Sequence, residues 1–179
     1  ECPWLTYRDF HVNIIHTSDH FFGNTELELK ENVEKQKLIH AVNEYRDLRG
    51  FPLDPVSFLE HEYLRRVERY LETGVTPMRC HALRSSVFID SWGQVFPCSI
   101  YDKQIGSLRD TDFDLTPIWE SDLAKQVQQE IWEFQCPQCW TPCEAYQTIL
   151  GNFFRPGSKP ILPLEDGHLA PRPEVKPEE

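Results

Sequence analysis

The first half of the chain changes its hydrophobic period once. From Asp9 to Ile15 the run Asp-Phe-His-Val-Asn-Ile-Ile is dominated by β-branched and aromatic residues with partial alternation, which predicts a strand. His16 to Gly23 then reads as the loop leaving it. Beyond it the apolar spacing becomes three and four. Leu29, Val33, Leu38, Ile39, Val42 and Tyr45 form one stripe behind Thr25-Glu-Leu-Glu28. That spelling is a capping box, so a long helix is expected, ended by Gly50. Asp54-Pro55 predicts the start of a second helix, a cap residue followed by proline at the first helical position. Leu59, Tyr63, Leu64, Val67, Tyr70 and Leu71 supply its apolar face, and Gly74 and Pro77 its end.

The second half has a different texture. Ser86 to Asp90 and Gln94 to Pro97 read as two short strands around a Ser91-Trp92-Gly93 turn. Ile105 to Leu108 is a candidate third strand. Thr116-Pro117 predicts one helix with Trp119, Leu123, Val127 and Ile131 along a single face. The last 25 residues hold six prolines, which predicts an extended, disordered tail over 155–179. There is no internal repeat and no glycine-rich phosphate loop.

Composition narrows the function classes. Hydrophobic residues are 40% of the 179 and aromatics 12%, enough for a core. No apolar run approaches the roughly 20 residues that span a bilayer, and no secretory signal is visible. The formal net charge is −11, and the 18 lysines and arginines are scattered. Both features argue against nucleic-acid and anionic-membrane partners. Six cysteines without a secretory signal point to metal or redox chemistry in a reducing, cytoplasmic setting.

Five of those cysteines form a two-part array. Cys80, Gly93 and Cys98 spell C-x12-G-x4-C, and Cys136, Cys139 and Cys143 spell C-x2-C-x3-C. The hairpin should bring Cys80 and Cys98 together, and the helix from Thr116 should return the chain with the second group. Four thiolates converging from two segments suit an iron–sulfur cluster. They equally suit a closed four-cysteine zinc site serving as a non-catalytic scaffold. Local spacing leaves the two open.

The array, with Phe88-Ile-Asp-Ser-Trp-Gly-Gln-Val-Phe-Pro-Cys98, Ile105-Gly-Ser-Leu108 and Ile118-Trp-Glu-Ser121, resembles the SPASM and twitch domains at the C-terminus of radical SAM enzymes. The resemblance covers about Cys80 to Tyr146. It implies an α/β (α+β) fold: the final strand and helices of a partial TIM-like barrel over 1–77, then a hairpin-plus-helix auxiliary-cluster domain over 78–154. It implies one [4Fe–4S] cluster, for electron transfer or substrate anchoring, with Cys80, Cys98, Cys136 and Cys139 as ligands and Cys143 as a competing fourth. The full SPASM pattern carries further cysteines that this chain lacks, so a single cluster is the limit. Radical SAM chemistry itself needs C-x3-C-x2-C. The order here is reversed, and Cys2 has no partner at that spacing. S-adenosylmethionine and a second [4Fe–4S] cluster would therefore belong to an N-terminal barrel, on the same or a separate chain. The segment alone is not expected to be active. A peptide or small-molecule substrate is implied, and its identity is not.

Other residues have plainer readings beside the functional ones. His16 and His20, with Asn13 and Ser18, would stand at a barrel rim, although most loop side chains only meet solvent. Trp92, Trp119, Trp132 and Trp140 are expected in the core or around the cluster. His81 adjoins Cys80 and could replace a thiolate, which five cysteines make unnecessary. Glu60, Glu62, Arg65 and Arg66 read as a solvated helix face.

Overall fold

Asp54 opens the second α-helix along the described chain. Its carboxylate accepts the amides of Val56 and Ser57, both at 3.0 Å, satisfying donors that the first turn leaves free. In the computed structural model, which describes residues 4–21, 23 and 32–153, this helix is α2 (Pro55–Thr73) and follows α1 (Asn32–Arg49). Gly74 closes α2 in the left-handed conformation, its amide bonding the Tyr70 carbonyl at 2.7 Å. The capping box expected at Thr25–Glu28, residue Leu29 and the tail expected over 155–179 lie outside the described residues.

A three-stranded antiparallel sheet follows: β1 (Phe88–Ile89), β2 (Gln94–Phe96) and β3 (Gly106–Ser107), in the order β1-β2-β3. Phe88 pairs with Phe96, and Val95 with both Ile89 and Gly106. The β1–β2 turn is held by Asp90, whose carboxylate accepts the amides of Trp92 and Gln94. Gly93 there has φ +83°, a region side chains disfavour. The rest is α3 (Thr116–Trp119), α4 (Asp122–Trp132) and α5 (Pro142–Phe153). The fold class is therefore α+β, as expected.

Two cores form. In one, α1, α2 and α5 enclose Ile39, Val42, Tyr63, Leu64, Val67, Ala145 and Ile149, together with Ile14 and Trp140. Each fully buried aliphatic or aromatic side chain there contributes about 1.5–3 kcal/mol over its exposed state. The other lies between the sheet and α3–α4 and contains Val95, Ile105, Ile118, Ala124, Val127, Ile131 and three cysteines.

Four expectations are corrected. Asp9 to Ile15 is not a strand: Tyr7–Asp9 is a 3-10 turn and the chain beyond it has no ladder. Burial still alternates, with Val12 and Ile14 inward and His11, Asn13 and Ile15 outward. The backbone is held by side chains of α1 instead. Tyr45 donates to the carbonyls of Tyr7 and Phe10, and Arg49 donates to the same two at 3.0 and 2.9 Å. Second, the helix from Thr116 breaks. Ser121 leaves helical geometry and caps α4 through the Ala124 amide at 3.0 Å. The buried face is consequently Ala124, Val127 and Ile131, and Leu123 is exposed. Third, Glu60 is not solvated. It is fully buried in α2, bonded through one oxygen to His11 and the Tyr146 hydroxyl. Fourth, Trp92 is exposed on the hairpin tip; its carbonyl accepts from Arg109 Nε at 2.6 Å.

Candidate metal centre

Each of four thiols sits where a local element ends. Cys80 precedes the tight bridge pairing Ala82 with Ser86. Its sulfur accepts the Ala82 amide at 3.4 Å and the Thr148 hydroxyl. Cys98 leaves β2 through Pro97, and its sulfur accepts the amides of Ile100 and Tyr101, the latter at 3.3 Å. Cys136 follows α4 and accepts from the Gln138 amide. Between Cys136 and Cys139 the chain turns sharply, with Gln138 at φ +61°. A non-glycine residue there costs on the order of 1 kcal/mol or more. The Gln138 side chain ties the turn down by donating to the Phe134 carbonyl at 2.7 Å. Cys139 is anchored by Thr76, whose hydroxyl accepts its amide at 3.2 Å and donates to its carbonyl at 3.0 Å.

The environment is dry. Cys80, Cys98 and Cys139 are buried and Cys136 is partly so. Burial pushes the Cys80 thiol up to about 12 and those of Cys98, Cys136 and Cys139 above their ordinary value. The sulfurs also act on one another: Cys80 on Cys98, Cys136 on Cys80, and all three on Cys139. Thiolates so placed repel unless a cation joins them, and a bound metal deprotonates its thiols outright. Four sulfurs from two segments, three buried and one partly so, with amide hydrogens directed at three of them, are a donor set that fits an iron–sulfur centre. Among the described residues no three His, Cys, Asp or Glu side chains converge tightly enough for a single ion.

Cys143 stands apart. It is exposed on the first turn of α5. Sequence reasoning missed its neighbour Glu144, which is buried and raises Cys80, Cys98 and Cys139 by its charge. Burial pushes Glu144 itself up to about 7, against a Gln147 side chain and the Ser99 amide, which favour its charge. The α5 helix was not expected either, although Pro142 with Ala145 and Ile149 four apart is a usable signal.

Both loop histidines face inward, contrary to the commoner solvent-facing state. His16 Nε2 accepts the Trp140 amide at 3.3 Å and its ring meets Tyr70 at 5.4 Å. His20 lies against Phe96, with Nε2 at 2.9 Å from the Cys98 carbonyl. Trp140 is buried, stacked on Tyr63, with its indole N–H on the Tyr63 carbonyl at 3.0 Å. Trp119 packs on the second core, and Trp132 lies beneath the Arg79 and Arg84 guanidinium groups. The His81 ring lies against Gly151 and Trp132.

Burial lowers His16 to about 4, from an ordinary 6.5. The unfolded chain therefore takes up this proton first, and stability contributed above pH 6.5 is lost progressively as pH falls toward 4. The full loss is about 3 kcal/mol. Urea denaturation at pH 7 and 4.5 should show this slope, and His16→Gln should flatten it; an unchanged slope would remove His16 as the cause.

The arrangement is a small α+β module lined by four thiols. Residues 80–143 match the family model of SPASM, an iron–sulfur cluster-binding domain. The match begins on Cys80 and ends on Cys143, taking in all five cysteines of the array. It assigns iron–sulfur cluster binding to this segment and gives the zinc reading no support. No curated protein and no solved structure matched the chain. Among the described residues no helix is long and apolar enough to cross a membrane.

Proposed function

We propose that this chain is the C-terminal part of a radical SAM enzyme and holds one auxiliary [4Fe–4S] cluster through Cys80, Cys98, Cys136 and Cys139. The observation that carries the reading is the SPASM match laid over four thiols that share one dry environment. A bound cluster supplies one-electron transfer; with only three cysteine ligands it would also offer an open iron to a substrate. The protein's own part is to fix the sulfurs, direct the Ala82, Ile100, Tyr101 and Gln138 amides at them, and bury Cys80, Cys98 and Cys139 in the apolar core that also holds Ile100 and Ile131. Four available thiols favour the electron-transfer role.

Radical generation, S-adenosylmethionine and a second [4Fe–4S] cluster belong in this proposal to an N-terminal barrel, on the same or another polypeptide. The reversed C-x2-C-x3-C supports that division. A peptide or small molecule is the proposed substrate class, and a reducing cytoplasmic setting suits five unpaired thiols.

Anaerobic reconstitution tests the central claim. The loaded chain should absorb broadly near roughly 400 nm and contain about four irons and four sulfides. Colourless protein with one tightly held zinc would overturn it.

A further inference from the structure

The SPASM match begins at residue 80, yet the N-terminal segment reaches the candidate centre through His20. Both ring nitrogens of His20 are engaged. Nε2 lies 2.9 Å from the Cys98 carbonyl oxygen, and Nδ1 meets the Asp102 carboxylate. A carbonyl and a carboxylate both only accept, so in this arrangement each ring nitrogen donates a hydrogen, Nε2 to the Cys98 carbonyl and Nδ1 to Asp102. The ring stacks on Phe96, with centroids 4.2 Å apart and planes 16° off parallel, and Phe88 meets it edge-on at 5.2 Å. The His20 side chain is 7% exposed. Asp102 is fixed in turn, because its carboxylate accepts the amides of Asp19 at 3.1 Å and His20 at 3.0 Å.

The engaged carbonyl matters for its position. Cys98 is where the chain turns out of β2, and its sulfur takes the amides of Ile100 and Tyr101 from the same turn. The orientation of the Cys98 peptide therefore decides where that sulfur points. A residue serving only as packing would need a flat ring on Phe96 and nothing at its edge. His20 instead places a donor on the ligand's own carbonyl and carries a brace on the opposite nitrogen, the arrangement by which outer partners orient metal ligands.

We infer that His20, braced by Asp102, is a positioning residue for the Cys98 ligand: its Nε2–H holds the Cys98 carbonyl and so fixes the Cys98–Tyr101 turn. The inference rests on the cluster reading above. It adds a contributor about sixty residues upstream of the matched segment.

The test uses the full 179-residue chain, reconstituted anaerobically as wild type, His20→Gln, His20→Phe and Asp102→Asn. Circular dichroism monitors the fold. The readouts are iron release to a chelator, the electron paramagnetic resonance spectrum of the reduced cluster and its midpoint potential. His20→Gln, whose amide N–H occupies the place of Nε2–H, should resemble wild type. His20→Phe keeps the ring and loses the donor. It should release iron about tenfold faster or more, with a shifted spectrum and potential. Asp102→Asn should fall between them. If His20→Phe does not fold, Asp102→Ala at the half-exposed brace takes its place with the same expected shifts. His20→Phe behaving as wild type, or His20→Gln as impaired as His20→Phe, would overturn the inference while leaving the cluster reading intact. A wild-type chain that takes up no iron would sink both.

Discussion

Cys98→Ser will leave this chain without its cluster, whereas Cys143→Ser will leave the cluster in place. Cys98 is buried, accepts two backbone amides, and both acts on and is acted on by the other buried thiols. A serine hydroxyl there is a poor, neutral donor in an apolar shell. Cys143 is exposed in the first turn of α5, four residues along the chain from Cys139. Iron and sulfide per chain after reconstitution read the result directly: about four of each for Cys143→Ser, near zero for Cys98→Ser. Because a metal site forms only in the folded chain, cluster loss should also lower the thermal midpoint of the loaded protein. Iron loss in Cys143→Ser with retention in Cys136→Ser would reassign the fourth ligand.

The features that the sequence states openly are those with local causes. Asp54-Pro55, Gly74, Gly93 and Asp90 act within four residues of themselves, so the α2 boundaries and the hairpin are legible from spelling alone. The cysteine array is legible because ligand spacing is a local constraint as well. The misjudged positions depend on partners far along the chain. Asp9 to Ile15 has strand composition and strand alternation, but a strand needs a hydrogen-bonding neighbour, and Tyr45 and Arg49 of α1 take that place. Leu123 looks like the helix face until Ser121 caps α4 and rotates the face by one residue. Glu60 reads as solvated beside Glu62 and Arg66, yet Tyr146, eighty-six residues later, covers it. His16 and His20 have no sequence signal of burial; their partners are Trp140 and Cys98.

Glu144 shows the same limit at the centre itself. Its acid group follows Cys143 in the sequence but acts on Cys80, Cys98 and Cys139 in space. A carboxylate beside three of the thiols adds to their repulsion, and its own bond to the Ser99 amide links α5 to the turn after Cys98. The α5 helix thus serves both halves of the molecule. Ala145 and Ile149 fill the helical core, and Thr148 bonds the Cys80 sulfur and accepts the His81 amide at 3.1 Å.

That double role makes Gly151→Ala a damaging change despite its adding only a methyl. In an ordinary helix interior, alanine in place of glycine stabilises by about 0.5–1 kcal/mol. Here a Cβ at 151 would overlap His81 Cε1 and Nδ1 and lie 2.7 Å from its Cγ, well inside van der Waals contact. The imidazole is not free to swing aside. It is buried, set edge-on against Trp132 at 6.0 Å, and its own amide is fixed to Thr148. Arg84 closes over Trp132 at 4.4 Å. Either α5 shifts outward, loosening Thr148 from the Cys80 sulfur, or His81 shifts and carries Cys80 with it. Overpacking of this kind typically costs about 1–3 kcal/mol, so the sign of the ordinary helix effect should reverse. Urea denaturation of Gly151→Ala should show that loss. The double variant His81→Ala/Gly151→Ala should then be more stable than the sum of the two single changes, because removing the ring makes room for the methyl. Additive behaviour, or a Gly151→Ala chain more stable than wild type, would show that the ring and the helix do not confine each other as the contact distances imply.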